Sequence, residues 1–481
     1  MIREILGAGP SRCRYGTAKK RSAVAALAVV AVLVPASPVA ARSTECDATG
    51  WHRFVTRPDL RVPDVAVHTS RAGTAAGYLF LSSLSRCRSL TTDEKGFPEI
   101  VDANGQPVWA PSHHHGIDFQ PQTYRGHPVL TWWEGGAWTI MDGSYQVIAR
   151  VRPGNGLGAA NIHDMVITPQ NTALILIYKD PQGPGDGFAA NTIQEVDIGT
   201  GRVLFQWNGL DHIGPSESYI PDTGHGEYLL INSLSLDGDG NIIASVLYTR
   251  TIYKIDRRTG RIIWRLGGKK SDFTMRRGAS FGGQHDAVRQ PDGTITMYDN
   301  GSTPADAARG LQLSLDLKSK AAWVVRSYPY PGAGWPDAAL GSMQVSPIGS
   351  VLISWARSGR FTEYSKSGEP LFDASYVGRE MEAYRVLRAP WRGMPVEPPA
   401  VAGRAAGQGM TVYASWNGAT EVATWRVLAG AAPGSLSVVR DCPKSGFETA
   451  IPVKQRTKYV AVQGLDRAGT VLGTSRIGEI R

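Results

Sequence analysis

At 481 residues, with 55 glycines and 30 prolines, the chain exceeds one ordinary compact domain, although a large β-architecture can absorb most of it. Its formal charge of +9 sits largely in the first 41 residues, which hold six Lys/Arg and one Glu; beyond them, 45 basic and 41 acidic residues leave +4. No dense Lys/Arg patch is interleaved with aromatics, so this balance argues against nucleic acid as a partner.

Lys19, Lys20 and Arg21 precede the apolar run AVAALAVVAVLVP, and the small residues ASPVAA follow it. That order predicts a secretory signal peptide over residues 1–41, cut near Ala41. Its apolar run of about 12 residues falls short of the roughly 20 that span a bilayer, so a secreted chain without a stable membrane anchor is expected. Residues 42–74 follow as an N-terminal segment. Cys46, Cys87 and Cys442 remain after processing. One pair can close in an oxidising compartment, with Cys46–Cys87 the first choice because both flank one region, but three pairings are open.

From residue 75 onward, short apolar runs alternate with turn signals. HPVLTWW, ALILIY, RVLFQW, IIASVLY, RIIWRL, TITMYD and VLISWA are rich in β-branched and aromatic residues and bounded by Gly, Asp, Asn or Pro. The fold class is all-β. One unit recurs, a polar or Gly-containing turn followed by a strand with a bulky residue: NGQPVWA (104), DGSYQVIARV (142), TGRVLFQW (200), TGRIIWRL (259), KSKAAWVV (318) and SGEPLFDA (367). Six such units predict a six-bladed β-propeller over 75–390. A β-sandwich pair or a β-helix does not call for one such hairpin per unit. Residues 391–410, rich in Pro, Gly and Ala, read as a linker. Residues 411–481, with short alternating strands, read as a small fibronectin-type or immunoglobulin-like β-sandwich.

A propeller collects its functional groups on loops and strand starts around the central channel, from several blades. His163 in NIHDMVITPQNTALILIY and His285 in GGQHDAVRQPDGTITMYDN share one order of His, Asp, strand, turn, strand. A single His-Asp at a strand entrance is most simply a polar cap; two at corresponding positions point to a shared central pocket. SHHHG (112–116) offers three adjacent histidines that cannot all face one ion, and DGDGN (237–241) lacks the closing Glu of a calcium loop. His212 and His225 are single loop histidines. Phosphate loops and H-E-x-x-H are missing from the sequence, and no metal or cofactor is expected.

Taken in order, YRGHPVLTWWEG (124–135), NIHDMVITPQNTAL (161–174), YLLINSLSLDGDGNIIAS (228–245), RTIYKIDRRTGRIIWRLGGKKSDF (250–273) and FGGQHDAVRQPDGTITMYDNG (281–301) resemble the arylsulfotransferase family, in its secreted bacterial and fungal branch, over about residues 75–390. The resemblance implies a propeller that moves a sulfuryl group from an aryl sulfate to a phenol through a transiently sulfated histidine, without a nucleotide sulfate donor. The sulfated histidine of Q-H-x-A matches His285, and the upstream pocket histidine matches His163. Gln284, Asn232 and Asn300 are the expected substrate-binding groups. Two positions depart from the family pattern. Its next histidine falls at Leu230, and the arginine of its S-x-R-H stretch falls at Leu247. One donor facing developing charge is typically worth about 3 kcal/mol, so the departures keep two readings open. The first is a sulfotransferase of altered efficiency or range, with an aryl sulfate and a phenol as partners. The second is a non-catalytic propeller that binds an aromatic or glycan ligand.

Overall fold

A computed structural model describes residues 50–86, 95–112, 116–178, 190–221, 228–301, 307–332, 339–378 and 381–480. The chain divides into Met1–Ser43 and Thr44–Arg481, and every described residue belongs to the second unit. The described residues are all-β, with helix limited to isolated single turns such as Gly209–Asp211, Pro215–Glu217 and Ala356–Ser358. None of them forms a helix long and apolar enough to cross a membrane.

Six sheets are each led by one strand: β1 (Ile117–Tyr124), β2 (Ala160–Ile167), β3 (Ile231–Leu236), β4 (His285–Arg289), β5 (Ser342–Val345) and β6 (Met381–Ala389). Each leading strand touches the next, and β6 touches β1, so the six line one axis in a closed, β-propeller-like ring. The sequence repeat marks the opposite side of each sheet. Its six copies supply the fourth strands Pro107–Trp109, Val147–Val151, Val203–Asn208, Ile262–Gly267, Ala321–Pro329 and Pro370–Tyr376. Turn chemistry explains that regularity. Asp102, Asp142, Asp197, Asp256 and Asp316 each accept backbone N–H groups of the turn that follows.

The sheet led by β6 takes its remaining strands, Tyr78–Ser85, Gly96–Val101 and Pro107–Trp109, from much earlier in the chain. Strands also extend across two compositional boundaries. Val65–Ser70, within the segment 42–74, adds a fifth strand beside Pro370–Tyr376. Ala400–Ala406, within the stretch 391–410, forms a hairpin with Gly409–Ser415 about Gly407, whose φ is 58°.

Side chains bonded to the neighbouring backbone close the ring at its axis. Gln122 of β1 accepts from Ile167 N at 2.8 Å and donates to Met165 O at 2.9 Å in β2. Asp164 of β2 accepts from Leu234 N of β3 at 2.9 Å. Ser233 of β3 accepts from Ala287 N of β4 at 3.1 Å, and Asp286 of β4 from Met343 N of β5 at 2.9 Å. Gln344 of β5 accepts from Arg388 N of β6 at 2.7 Å, and Arg385 of β6 returns to Asp118 of β1 at 2.7 Å. Between the sheets the core is apolar; Trp207, Tyr228, Leu229, Leu230, Ile231 and Tyr253 form one of its clusters.

After residue 399 two further sheets face each other over Val412, Trp416, Trp425, Val427, Ile451 and Val462. This pair is fixed to the ring. Asn417 exchanges two hydrogen bonds with the Ala110 backbone at 3.1 and 2.7 Å, and Tyr145 Oη donates to Gly418 O at 2.9 Å. Glu448 accepts from the N–H groups of Val55 and Thr56 at 3.1 and 2.6 Å.

Candidate functional site

Five of the six inner strands shift register near their starts, between Ile117 and Gln120, Ala160 and Met165, Ile231 and Ser233, His285 and Val288, and Ala383 and Arg385. A bulge leaves residues unpaired and re-aims their side chains, and here it does so at one end of one ring. Asp118 and Asp286 take the left-handed conformation there, with φ of 56° and 54°, which Asp tolerates better than bulky residues do. The bulges gather His163, His285, three aspartates and Arg385 about the axis.

His285 is 5% exposed. Its Nδ1 lies 2.9 Å from Gly283 O and 2.8 Å from Asn300 Oδ1. The Asn300 amide nitrogen donates to Leu340 O at 3.0 Å, which identifies the oxygen facing the ring. Two acceptors require Nδ1 to carry the proton, so the lone pair lies on Nε2. Leu340 N–H approaches that atom at 3.3 Å. His163, 8% exposed, is set the same way. Asn161 Oδ1 accepts both from the His163 backbone N–H, at 2.9 Å, and from Nδ1. Tyr384 Oη donates to His163 O at 2.8 Å.

Burial pushes His163 down to about 3, assisted by His285 and Arg385, so the two imidazoles sense each other. Burial also pushes His285 down to about 4, with Arg385 adding to the effect and the bonds to Asn300 and Gly283 opposing it. Both rings are therefore neutral near pH 7 and present unprotonated Nε2 atoms.

Below the histidines, Arg385 meets three carboxylates at once. Nε lies 2.7 Å from Asp118 Oδ1, Nη1 3.1 Å from Asp286 Oδ1 and Nη2 3.5 Å from Asp164 Oδ2. The Asp118 contact is a close ion pair rather than an aligned hydrogen bond, because Asp118 Oδ1 has no well-directed donor. Gln120 donates to Asp118 at 2.6 Å and to Asp164 at 3.2 Å. Burial raises Asp118 and Asp286 above the usual carboxylate range, against the pull of Arg385, while the three carboxylates hold Arg385 firmly protonated despite burial. Sequence reasoning missed Arg385, Asp118 and Tyr384. The one available signal was an Asp near three strand starts, in GIDF, IHDM and QHDA.

The expected substrate-binding amides surround His285, each with at least one N–H already engaged. Asn232 Nδ2 donates to Gln284 O at 2.8 Å, and Gln284 Nε2 donates to Val246 O at 3.0 Å. Direct contact with a substrate through those donors requires exchange of these bonds. Leu230, 2% exposed, belongs to the apolar cluster between sheets, and Leu247 packs against it. His212 stacks on Trp207, and Asp237 and Asp239 of DGDGN both grip Lys254 at 2.6 Å. Residues 113–115, His225, Cys46, Cys87 and the expected signal peptide lie outside the described residues. Cys442 forms no disulfide among the described residues, and these hold no cluster of three His, Cys, Asp or Glu side chains arranged for a metal ion.

A family model described as Arylsulfotransferase (ASST) matches residues 120–377, just over half of the chain. No curated protein matches. Among solved structures, a protein of unknown function from Bacteroides caccae is 12% identical, with 65% of this chain and 98% of that one covered at a TM-score of 0.42. The β-propeller domain of Myceliophteria thermophila Cps50 (Swd1) is 11% identical over 74% and 97% at 0.35, and virginiamycin B lyase from Staphylococcus aureus 8% over 71% and 90% at 0.31. Likenesses this loose add nothing to what the strand pairings establish.

Proposed function

The chain belongs to the arylsulfotransferase family, and from that premise we propose that it transfers a sulfuryl group from an aryl sulfate to a phenol through a sulfated His285. The observation that carries this reading is the fixed tautomer of His285, whose Nδ1–H is held between Gly283 O and Asn300 Oδ1. In the first step the Nε2 lone pair attacks sulfur. An N–S bond forms, the bond from sulfur to the aryl oxygen breaks, and that oxygen leaves with the electron pair as phenolate. The sulfated ring carries positive charge, which the two carbonyl acceptors on Nδ1–H stabilise. In the second step the acceptor phenol oxygen attacks sulfur, and the N–S pair returns to Nε2. The phenol proton passes to His163 Nε2 and on to solvent. With its own Nδ1–H turned to Asn161, His163 suits proton acceptance rather than donation to sulfuryl oxygens.

In this reading the six sheets are six propeller blades, the C-terminal pair is an immunoglobulin-like sandwich, and residues 1–41 direct secretion. Gln284, Asn232 and Asn300 hold the strand that carries His285. The test uses 4-nitrophenyl sulfate with rapid quenching at neutral pH. A burst of nitrophenolate should accompany a sulfuryl adduct mapped to His285, and His285→Asn should abolish both. Steady nitrophenolate release by His285→Asn at the native rate would overturn the reading.

A further inference from the structure

A sulfuryl group brings three oxygens whose charge must be met, yet the side-chain donors near His285 are each bonded to other partners through at least one N–H. Arg385 is shared by three carboxylates. The amides of Asn232, Gln284 and Asn300 donate to backbone carbonyls. Leu230 and Leu247 sit in apolar packing. One donor still points at the reacting atom, and it is a backbone group: Leu340 N–H, 3.3 Å from His285 Nε2.

Its surroundings show that the placement is held. Asn300, which fixes the His285 tautomer, also donates to Leu340 O at 3.0 Å, so one side chain sets both partners. Gly341 N–H donates to Tyr384 O at 3.0 Å, tying the next residue to the strand that carries Arg385. Leu340 has a φ of 68° and Gly341 one of 98°, so two consecutive residues leave the right-handed regions. For a leucine that conformation is strained, and such strain persists where the surroundings impose it. A Cβ at Gly341 would come within 2.3 Å of the Tyr298 ring, so a side chain has no room there while the turn keeps this position.

We propose that Leu340 N–H is a sulfuryl-oxygen donor of this site, parked on the Nε2 lone pair when no substrate is bound. At 3.3 Å no atom fits between the two nitrogens, so the N–H must step aside as sulfur arrives. Once the lone pair is committed to the N–S bond, the N–H has lost its acceptor and faces the oxygens of the group that displaced it. A backbone donor that shifts from the lone pair to the oxygens of the arriving group needs no side chain, and this accounts for a chain that carries leucine at 230 and 247.

The inference rests on the sulfuryl-transfer reading, and the experiment separates the two. Leucine at 340 is replaced by its α-hydroxy acid, which exchanges the N–H for an ester oxygen and keeps the side chain. Two rates are measured: sulfation of His285 by 4-nitrophenyl sulfate, and carbethoxylation of His285 by diethyl pyrocarbonate, which needs only the free lone pair. Removing the donor should slow sulfation about 100-fold while carbethoxylation rises, because the lone pair is no longer covered. Leu340→Gly keeps the N–H and takes the left-handed conformation freely, so its two rates should not split in opposite directions as those of the ester protein do. Equal sulfation in the ester and native proteins, or a parallel fall of both rates in a folded ester protein, overturns the donor role. If the ester protein does not fold, Gly341→Ala displaces the same turn and should split the two rates in the same directions; unchanged sulfation there also overturns the donor role. If native protein forms no sulfated His285, the reading beneath the inference fails instead.

Discussion

The axis of the ring and the core of the C-terminal sheet pair are built from the same material, antiparallel strands of alternating pattern, and they bury opposite things. The C-terminal pair closes over Trp416, Trp425, Val412, Val427 and Ile451, with Ser415, Thr449 and Ser475 its buried polar side chains among the described residues. The ring buries His163, His285, Asp118, Asp164, Asp286 and Arg385 where its inner strands begin. Apolar packing would stabilise that end of the ring as well, because buried ion pairs seldom exceed a hydrophobic replacement in stability. Charges kept at such a cost, with two imidazoles driven to the neutral form, support the proposal that the axis serves chemistry while the other core serves stability.

The strongest way to break the contrast is Arg385→Met, which strands three carboxylates around an apolar side chain. It should cost about 3–5 kcal/mol in chemical denaturation and abolish His285 sulfation. Trp425→Ala should cost a similar ~3–5 kcal/mol by leaving a cavity in the other core, while His285 sulfation in the folded protein stays within about twofold of native. If the two variants lose activity equally at matched stability, the two regions are not functionally distinct. Leu230→His combined with Leu247→Arg places polar groups in the cluster around Trp207 and Tyr228. It should lower stability by about 2–3 kcal/mol without raising the sulfation rate above native.

Acid provides a gentler test. His285, lowered to about 4, stays unprotonated across the neutral range, so sulfation should be flat from about pH 8 to 5 and fall about tenfold per unit below 4. The stability sign follows from the same shifts. Between the ordinary histidine value near 6.5 and the folded values of about 4 and 3, the unfolded chain binds protons that the folded chain does not. Both histidines therefore make stability fall as pH drops through that window, and replacing both by Asn should flatten the slope there. Asp118 and Asp286, raised by burial, act in the opposite sense and lose stability as pH rises through their shifted range. The smallest effect is expected at the junction. Tyr145→Phe removes the bond to Gly418 O and should cost about 1 kcal/mol with sulfation unchanged.

What could be read from sequence was local. The six repeat units locate the fourth strands because Asp and Gly at fixed offsets dictate a tight turn whatever the rest of the chain does. The paired His-Asp segments stood out because each is a short string opening a strand. Arg385 could not be seen in EAYRVLRAP, where it looks like any strand arginine. Its partners lie far off, Asp286 at a separation of 99 residues and Gln120 at 265. The amides near His285 could be named from the sequence, but not the carbonyls that occupy them, since a hydrogen-bond partner on another sheet leaves no trace in the residue type. Leu340 lay further out of reach, because its contribution is a backbone group and its side chain gives no hint.

The way the ring is shut carries a consequence for biosynthesis. The strand that lines the axis in the last sheet, Met381–Ala389, pairs with Tyr78–Ser85, made some 300 residues earlier. A ribosome producing this chain at the usual handful of residues per second releases Asp118, Asp164 and Asp286 well before Arg385, their cationic partner among the described residues. Until Arg385 emerges, the nascent ring has an open seam and three carboxylates with every reason to stay in water. Completion of the site and sealing of the barrier to solvent thus become one event, timed to the end of the ring's own synthesis, and a protein stalled short of residue 385 is expected to be a client for chaperones rather than a slow enzyme.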